Sequence, residues 1–567
     1  MRLLTLLFAA FVSVVMSAQT PLTSPKKFDK NNPMNPFNFC ADPTAVEYDG
    51  RVYVYGTNDQ QQFDEGNGFI GGNDYGKINS LVCMSSADLV NWTWHAPIEV
   101  KKVAPWTGCS WAPSICSRVE ADGLTHFYLY FANGASGIGV ITSTSPTGPW
   151  KDPLGKVFIG WGHPGMGDIV WLFDPGVVVD ENGTGWITWG GGGEPHEKNI
   201  SKGANALIDF NTRIAKLGDD MCSIDSDIVV LTAPFHLEAS ELNIIGSKFV
   251  YTYCSNWNGD RSMWSQFNQY DKSKAKPAAP GVAQMCYMTS TDPLNPDSWM
   301  YEGMYVKKPS NFGYPGGNNH THLQKFNGGY YLFYHCQGME KTMGSDSGKG
   351  GYRDIQVNKV TVDEEKCKIS DVTMDDNGTT SLVRTKRPVI TEKQQAEMIW
   401  NCAGIGMTYS GRGGSITAVK FKQAGSWTAI RYAYTQNEVK SFKANMRGKG
   451  KMEIRLDDVK AAPVGTIEYD TTSFMEYSIS LTTPFKGSHT IYFVCTEATD
   501  GKNNDFDEWQ FFEGDISAIS TISNDDSVLS ENYFTLSGEA CQKPEKGLYI
   551  VKRNLANGQT ITEKKLR

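Results

Sequence analysis

The chain has 567 residues, 20% of them charged and 40% hydrophobic, and its net charge is −9. This composition excludes intrinsic disorder, and the length exceeds one ordinary core, so we expect two or three domains. The negative charge argues against a nucleic-acid partner, since binding nucleic acid requires the neutralisation of phosphates. With 12% aromatic residues and 57 glycines, the chain has the composition of an all-β protein with many tight turns, and aromatic faces also suit sugars.

The first 18 residues predict an export signal. Arg2 supplies the positive end, Leu3 begins an apolar run that ends at Val15, and Ser17 and Ala18 form a small-residue cleavage site. The run is too short to span a bilayer, and no later segment approaches about 20 apolar residues. We therefore expect a protein without a transmembrane segment that is secreted or held at the cell surface, with the periplasm as an alternative.

The 12 cysteines are scattered, and none forms a C-x-x-C pair. This spacing disfavours zinc and redox motifs. We expect most of them to be small buried hydrophobic residues, with one or two disulfides at most. Cys109 and Cys116 are the best candidates for a pair, on proximity alone.

One hairpin pattern occurs five times along the next 300 residues. Each copy has a small or polar opening, a strand, a turn that contains Gly, and a strand rich in Tyr, Phe or Trp. The copies are "DPTAVEYDGRVYVYGT" from Asp42, "APSICSRVEADGLTHFYLYFA" from Ala112, "DPGVVVDENGTGWITWGG" from Asp174, "EASELNIIGSKFVYTYCS" from Glu238 and "HTHLQKFNGGYYLFYH" from His320. Five units of this length, each with room for four strands, predict a five-bladed β-propeller.

In such a ring the first strand of each blade lies nearest the axis. Residues that open the first strands therefore converge at one end of the central channel. Asp-Pro also initiates turns, but the acidic openings at Asp42, Asp174 and Glu238 stand at equivalent points of repeated units. We therefore predict that these three carboxyls share one pocket.

At these residues the chain resembles glycoside hydrolase family 43, whose members are five-bladed propeller enzymes acting on arabinose- and xylose-containing polysaccharides. The resemblance covers about residues 35 to 386. The motifs that carry it are "ADP" at Ala41, "WAPSI" at Trp111, "DPGVVVDENG" at Asp174, "LEASEL" at Leu237, "NHTHLQKFNGGYYLFYH" at Asn319 and "YRDIQV" at Tyr352.

The resemblance implies a role for each site residue. Asp42 would be the general base, Glu238 the general acid, and Asp174 the residue that orients the acid and modulates its pKa. His320 matches a histidine near the propeller axis that is often linked through water to a bound calcium ion. Arg353 matches an arginine that lines the sugar site.

The chemistry of hydrolysis with inversion agrees with these roles. One protonated carboxyl must face the leaving oxygen and one carboxylate must activate water on the opposite side, about 6.5–9.5 Å away. Carboxyls on separate blades meet this spacing more readily than two on one hairpin. A third carboxylate near Glu238 would raise the pKa of Glu238 by like-charge repulsion.

Two residues compete for these assignments. Glu241 lies three positions beyond Glu238, and an offset of three along a strand points to opposite faces, so we expect only one of the two to face the axis. We choose Glu238 because it opens the strand and matches the family motif. His322 shares a strand face with His320 and could be the calcium-side residue instead, but we expect it to be a core histidine.

The substrate contacts predicted from the same resemblance are Trp111, Arg353 and His320. Core packing is an equal alternative for Trp111, whose ring could otherwise stack on a sugar. Phe173 and Trp257 are weaker candidates for the same role.

Residues 387–395 form a polar linker, and residues 396–516 show the alternation of a β-sandwich. This second part resembles carbohydrate-binding module family 6, through "GSWTAI", "MEIRLDDVKAAPVGTI" and "FDEWQF". Glu397 and Glu513 stand near the positions where such modules often hold a structural calcium ion.

The sugar-binding side of this module departs from the family pattern. The chain has Asp505 where the family usually has Asn, and Ile416-Thr417-Ala418 replaces Gly-Tyr-Ile. The module could therefore bind sugar differently or act as a spacer. Trp509 suits the core and a sugar platform equally.

Residues 525–567 resemble a C-terminal sorting module of the type IX secretion system. The evidence is the pattern "SG…KPEKGLYIVKR…NG" in a short β unit that ends in basic residues. The resemblance implies passage across the outer membrane of a Bacteroidota-type bacterium. The alternative is an ordinary solvated terminus.

These observations predict an all-β protein with a signal at residues 1–18, a propeller at 33–386 and a β-sandwich module. We expect a monomeric, secreted, inverting hydrolase that releases α-L-arabinofuranosyl or β-xylosyl residues from arabinoxylan in the plant cell wall. We expect structural Ca²⁺ and no organic cofactor. The alternatives are an endo-α-1,5-L-arabinanase and a non-catalytic carbohydrate-binding propeller. The retaining fructan and sucrose hydrolases are disfavoured, because "NFCADPTAV" lacks the surround of their nucleophile.

Overall fold

The computed structural model describes residues 20–66, 68–166, 169–192, 207–208, 210–258, 261–344, 352–410, 416–499, 504–515, 528–535, 540–542, 548–555 and 560–566. The predicted export signal lies outside the described residues. Strands dominate the described chain and its helices are short, so the prediction of an all-β protein is confirmed. Among the described helices, none combines the length and the apolar character that crossing a lipid bilayer requires.

Within the described residues, five antiparallel sheets follow one another, and in each sheet the strands pair in chain order. The first contains β1 (Ala41–Tyr48), β2 (Arg51–Thr57), β3 (Leu81–Ser86) and β4 (Trp92–Trp94). The second contains β5 (Trp111–Val119), β6 (Thr125–Ala132) and β7 (Ile138–Ser143). The third contains β8 (Gly176–Val179), β9 (Gly185–Trp189), β10 (Arg213–Lys216) and β11 (Val229–Val230). The fourth contains β12 (His236–Ile245), β13 (Lys248–Ser255), β14 (Met285–Ser290) and β15 (Met300–Val306). The fifth contains β16 (Thr321–Phe326), β17 (Gly329–Cys336) and β18 (Asp354–Val360).

The first strands of these sheets contact one another in a closed series. β1 contacts β5, β5 contacts β8, β8 contacts β12, β12 contacts β16, and β16 contacts β1. The apolar cores follow the same order, because each core is shared by two neighbouring sheets and the last one joins the fifth sheet to the first. Each sheet thus buries both faces, which a lone hairpin cannot do.

Short helices occupy the connections. They are α1 (Asp59–Glu65) and α2 (Gly68–Gly71) between β2 and β3, α3 (Val100–Val103) before β5, α4 (Gly338–Thr342) before β18, and α5 (Val383–Lys386). A 3₁₀ turn at Tyr75–Lys77 follows α2. We call residues 58–79 the β2–β3 insertion. It brings Asp59 and Tyr75 to the end of the ring where β1 opens.

A hairpin of β19 (Val362–Asp363) and β20 (Lys368–Ile369) leads to the second unit, which we call the sandwich unit (residues 394–512). Its strands are β21 (Gln394–Gln395), β22 (Met398–Ile399), β23 (Asn401–Ala403), β24 (Ile405–Ser410), β25 (Ile416–Phe421), β26 (Trp427–Leu456), β27 (Gly465–Ala498) and β28 (Asn504–Phe512). Residues 450–454 of β26 pair with both ends of β27, with residues 465–469 on one side and residues 493–498 on the other. These two long strands therefore fold around one core. Trp509 lies in that core. Two residues that we expected in the linker, Gln394 and Gln395, pair with β28.

The two units share backbone and core. β22 pairs with β4 and becomes the fifth strand of the first sheet, with Met398 opposite Thr93 and Ile399 opposite Trp92. Val90, in the turn between β3 and β4, packs with Trp400 and other apolar residues of the sandwich unit. The junction is therefore a packed interface.

The N-terminal segment, residues 22–32, runs across this junction, and we call it the N-terminal strap. Lys26 Nζ donates to the Trp400 carbonyl at 2.7 Å, and Trp427 Nε1 donates to the Leu22 carbonyl at 2.8 Å. At its other end the Asn32 amide donates to the Asp376 carbonyl at 3.1 Å. The strap thus binds both units.

At the C-terminus, β29 (Val528–Phe534), β30 (Ala540–Cys541), β31 (Leu548–Leu555) and β32 (Thr560–Leu566) form one antiparallel sheet. All 12 cysteines are free thiols, and ten are buried. The suggested Cys109–Cys116 pair is therefore wrong. Cys116 packs in the core between the second and third sheets, whereas Cys109 precedes β5 and contacts the Gly76 carbonyl.

Candidate active site

In four of the five sheets, a residue with a positive φ stands at the opening of the first strand. Asp42, Ala112, Asp174 and Ala239 have φ values of +49°, +36°, +47° and +62°, a region that L-residues rarely adopt. Register shifts accompany three of them, at the openings of β1, β5 and β12. A bulge changes which residues face inward, and such strain concentrates at functional sites.

Side chains from other sheets hold these openings in place. The Asp42 amide donates to His335 Nδ1 at 3.0 Å, and the Ala112 amide donates to Thr57 Oγ1 at 2.8 Å. The Ala239 amide donates to Asp174 Oδ2 at 2.8 Å. Each bond joins two sheets, so the ring of sheets fixes the geometry of the openings.

The openings surround a cavity of about 130 Å³. Its lining comprises Asp42, Tyr75, Trp111, Ala112, Phe173, Asp174, Glu238, Ala239, Asn318, Asn319, His320 and Arg353. The structure thus brings together the three predicted catalytic carboxyls and the three predicted substrate contacts, although they are spread over about 300 residues of sequence.

Asp42 is a buried carboxylate with strong partners. Arg353 Nη1 donates to its Oδ1 at 2.8 Å, and Thr57 Oγ1 donates to its Oδ2 at 2.7 Å. Burial alone would raise the pKa of Asp42, but the charge of Arg353 outweighs it, and the pKa lies well below its usual range. Asp42 is therefore ionised at neutral pH, as a general base must be.

Glu238 has the opposite protonation behaviour. Burial and the nearby charge of Asp42 raise its pKa to about 7, against the opposing effect of Arg353. Asn318 Nδ2 donates to its Oε1 at 3.2 Å. A carboxyl with this pKa keeps a proton near neutrality, as a general acid must.

Asp174 lies beside Glu238 and is buried. Burial, followed by the charge of Glu238, raises the pKa of Asp174 well above its usual value. We expected Asp174 to raise the pKa of Glu238 by repulsion. In the structure, burial is the main cause of the raised pKa of Glu238, and Asp42 is the like charge that adds to it. The repulsion between Asp174 and Glu238 instead raises the pKa of Asp174.

Arg353 is buried at the centre of the site. Its guanidinium contacts Asp42 and Asn318 on one side and Asp59 on the other. Asp59, Thr57, Asn318 and His335 were not singled out in the sequence. For Asp59 no signal existed, because it stands in the polar β2–β3 insertion and reaches Arg353 only through the fold.

Aromatic side chains form part of the wall. Trp111 lines the cavity, where its Nε1 donates to the Tyr75 carbonyl at 3.0 Å, and Phe173 also lines it. Tyr75 covers the Arg353 guanidinium, with 5.2 Å between the guanidinium carbon and the ring centre. Trp257 is 42% exposed and lies against Gly317, next to the lining residue Asn318.

The expectation that only one of Glu238 and Glu241 faces the axis is wrong. Between them, two residues of β12 oppose one residue of β13, so a bulge restores Glu241 to the inner side. Glu241 is fully buried there, 3.4 Å from Ser114 Oγ and 3.2 Å from His322 Nδ1. His322 therefore pairs with Glu241 below the cavity, whereas His320 lines it, 3.6 Å from Asp42. Burial lowers the pKa of His320 to about 4.

The predicted calcium ligands of the sandwich unit do not lie together. Glu397 is buried, burial raises its pKa to about 9, and its Oε2 has no hydrogen-bond partner in the described structure. This oxygen fits a cation ligand. Glu513 is exposed, and its carboxylate accepts a hydrogen bond from Asn437. It lies six residues beyond Asp507, whose carbonyl accepts from the amide of Ala396, the residue before Glu397. Six extended residues span about 20 Å. Across the described ranges, no three His, Cys, Asp or Glu side chains are arranged to hold a metal ion.

Two family models match the chain. The model described as glycosyl hydrolases family 43 matches residues 31–366, and the model described as carbohydrate binding module family 6 matches residues 395–513. The first match contains every residue that lines the cavity.

Similar proteins cover nearly the whole chain. The arabinoxylan arabinofuranohydrolase of Bacillus subtilis (strain 168) is 34% identical over 90% of this chain and 98% of its own length. The arabinoxylan arabinofuranohydrolase of Paenibacillus polymyxa is 33% identical over 90% of this chain and 79% of its own length. A crystal structure of a family 43 arabinoxylan arabinofuranohydrolase from Bacillus subtilis in complex with cellotetraose matches with a TM-score of 0.76 and 32% identity, covering 87% of this chain and 99% of that chain.

Proposed function

The chain belongs to the glycosyl hydrolases of family 43, and from this membership we propose that it releases α-L-arabinofuranosyl or β-xylosyl residues from arabinoxylan with inversion of configuration. The observation that carries the proposal is the pair of carboxyls in one cavity with opposite protonation states. Asp42 is ionised and Glu238 has a pKa of about 7. The similarity to two arabinoxylan arabinofuranohydrolases over 90% of the chain supports the choice of substrate.

In the proposed mechanism Glu238 gives its proton to the leaving oxygen while Asp42 removes a proton from the attacking water. One nitrogen of Arg353 and the amide of Asn318 connect the two carboxyls through hydrogen bonds of 2.8, 3.0 and 3.2 Å. This linkage suits the separation of about 6.5–9.5 Å that inversion requires. Asp174 orients the acid by holding the amide of Ala239, the residue after Glu238.

The small cavity supports removal of single sugar units. Its volume of about 130 Å³ is roughly ten times the 10–15 Å³ that one water molecule needs by the same measure. This is room for one sugar residue. The closed series of five sheets, each sharing a core with its neighbours, supports a five-bladed propeller around that cavity.

The test is sugar release from arabinoxylan, xylo-oligosaccharides and debranched arabinan, with the anomeric configuration followed by NMR. The proposal expects free arabinose or xylose with inverted configuration. Oligosaccharides from debranched arabinan would indicate an endo-arabinanase, and retention of configuration would exclude the mechanism. No release from any substrate would favour a non-catalytic binding protein.

Three variants test the residues. Asp42→Asn, Asp174→Asn and Glu238→Gln should each lower kcat by at least about 100-fold and leave binding to arabinoxylan unchanged. A variant with wild-type kcat would remove its residue from the mechanism.

The chain carries a carbohydrate-binding module of family 6. This module would hold the enzyme on its polysaccharide and so raise the local concentration of substrate. The proposal includes a monomer as the working form. Affinity electrophoresis in arabinoxylan tests the binding, and sedimentation tests the oligomeric state.

Export and calcium are further parts of the proposal. Residues 1–18 would direct export, and the C-terminal sheet would act in type IX sorting to the cell surface. Cell fractionation with and without residues 525–567 tests this. Glu397 would contribute to a structural Ca²⁺ site, and thermal unfolding with calcium or a chelator tests that assignment.

A further inference from the structure

The Arg353 guanidinium is held from the side opposite to the cavity by a second buried carboxylate. Asp59 Oδ2 accepts from Arg353 Nε at 2.8 Å, and Oδ1 accepts from Nη2 at 2.9 Å. The Arg353 backbone amide also donates to Asp59 Oδ2 at 3.0 Å. Asp59 is completely buried. A two-point bond of this kind fixes the plane of a guanidinium, and the third bond fixes the chain that carries it.

The remaining terminal nitrogen of Arg353 is connected by hydrogen bonds to both the proposed base and the proposed acid. Nη1 donates to Asp42 Oδ1 at 2.8 Å and to Asn318 Oδ1 at 3.0 Å. Asn318 in turn donates to Glu238 Oε1 at 3.2 Å. A rotation of the guanidinium would therefore displace the base directly and the acid through Asn318.

The charge of Asp59 matters as well as its bonds. With Asp59 present, one arginine is shared by two carboxylates. Without the charge of Asp59, Arg353 would pair with Asp42 alone, and a base that is so stabilised removes a proton less readily. The unshared positive charge would also oppose the positive charge that develops on the sugar ring in the transition state.

We propose that Asp59 is a positioning residue that acts through Arg353, fixing the guanidinium so that its Nη1 orients Asp42 and sharing its charge so that Asp42 stays an effective base. This inference rests on the proposed function, because it concerns the same reaction. Asp59 does not line the cavity, so it acts on the reaction through Arg353, and its effect should appear in kcat more than in KM.

A double-mutant cycle on arabinoxylan oligosaccharides tests the inference. We expect Asp59→Asn to lower kcat by about 10- to 100-fold and to leave KM within about threefold, since the residue makes no contact with substrate. In the Arg353→Met background, Asp59→Asn should cause no further loss, because the residue through which Asp59 acts is gone. The matched control is Asp88→Asn, a buried carboxylate in the turn that precedes β4, which accepts from the amides of Val90 and Asn91. It should lower the melting temperature and leave kcat unchanged.

Three results would overturn the inference: a kcat within twofold of wild type in Asp59→Asn, a loss found in KM alone, or effects of Asp59→Asn and Arg353→Met that multiply. If Asp59→Asn does not fold, the double variant is compared with Arg353→Met. The double variant removes both charges of the Asp59–Arg353 pair, so neither of the two is left buried without the other. Equal kcat/KM values support the inference, and a further loss contradicts it. The proposed function fails separately, when the wild-type protein releases no sugar.

Discussion

The raised pKa of Glu238 determines how activity should depend on pH. In the proposed mechanism Glu238 works as an acid in its protonated form, so kcat/KM should fall as the pH rises through about 7. Asp42 stays ionised throughout that range, so it adds no limb there. Measurement of kcat/KM between pH 4 and 9 checks this. Glu238→Gln should lack the descending limb, and a limb that persists in this variant would assign the acid to another group.

The same burial predicts a cost in stability. The pKa of Glu238 rises from 4.5 in the unfolded chain to about 7 in the folded protein. The folded state therefore holds this proton more tightly, and stability is lost as the pH rises through 7. Glu238→Gln should be more stable than wild type at pH 8, by about 1–3 kcal/mol, and equal to it at pH 4. Urea unfolding at both values measures the difference.

A control for this effect stands on β1. Glu47 is exposed, so Glu47→Gln should change stability little at either pH. Equal stability of Glu238→Gln and wild type at pH 8 would show that Glu238 is not desolvated in the folded protein.

At the scale of residues, the sequence could identify the carboxyls that open strands but not their supports. Asp42, Asp174 and Glu238 were predictable because each begins a repeated unit. Asp59 was not, because Arg353, the partner of its carboxylate, is 294 positions away and stands just before β18. Glu241 was assigned to the wrong side, since a bulge that inverts the face of a strand leaves no mark in its residue types.

At the scale of elements, the left-handed residues at the strand openings have a measurable cost. Ala239 has φ +62° and is buried. Gly adopts this conformation without strain, which offsets the loss of a methyl group. We expect Ala239→Gly to leave the free energy of unfolding within about 0.5 kcal/mol of wild type.

The matched control is Ala45→Gly, also buried and on a first strand but without a positive φ. It should cost about 1–2 kcal/mol, because Gly adds backbone entropy in the unfolded chain and removes a packed methyl group. Chemical denaturation compares the two. Equal losses in both variants would mean that the opening of β12 carries no strain.

The elements themselves were largely predictable. The repeated hairpins locate β1–β2, β5–β6, β8–β9, β12–β13 and β16–β17, because apolar alternation and Gly turns are local signals. β21 and β22 were not predictable. Each has two residues, and both are defined by a partner strand supplied by the rest of the fold.

At the scale of the whole molecule, the shared core predicts that the two units unfold together. Trp400 is buried at the junction, where its Nε1 donates to the Lys30 carbonyl at 3.0 Å and its ring faces Arg431 at 4.7 Å. Trp400→Ala should cost about 3–5 kcal/mol and lower the melting temperature of both units in a single calorimetric transition.

Trp161 provides the control, because it is 48% exposed. Trp161→Ala should change the melting temperature little. If Trp400→Ala instead splits the transition into two, with the propeller sheets melting at the wild-type temperature, the units are independent.

The junction could not be predicted from sequence. The strap has no periodicity that marks it as structure, and Lys26 would ordinarily be placed in water. The burial of its Nζ is compensated by a hydrogen bond to the carbonyl of Trp400. Contacts between residues 374 positions apart depend on the complete fold, so only the two units, and not their union, could be anticipated.

The strap has a consequence for recombination between genes. Modules that bind sugars are commonly regarded as cassettes that can be exchanged at a linker. Here exchange of the sandwich unit at the linker would fail, because the surface that packs against this unit includes the N-terminal strap, from the opposite end of the polypeptide. A working chimaera would have to inherit the N-terminal strap and the incoming module from the same parent.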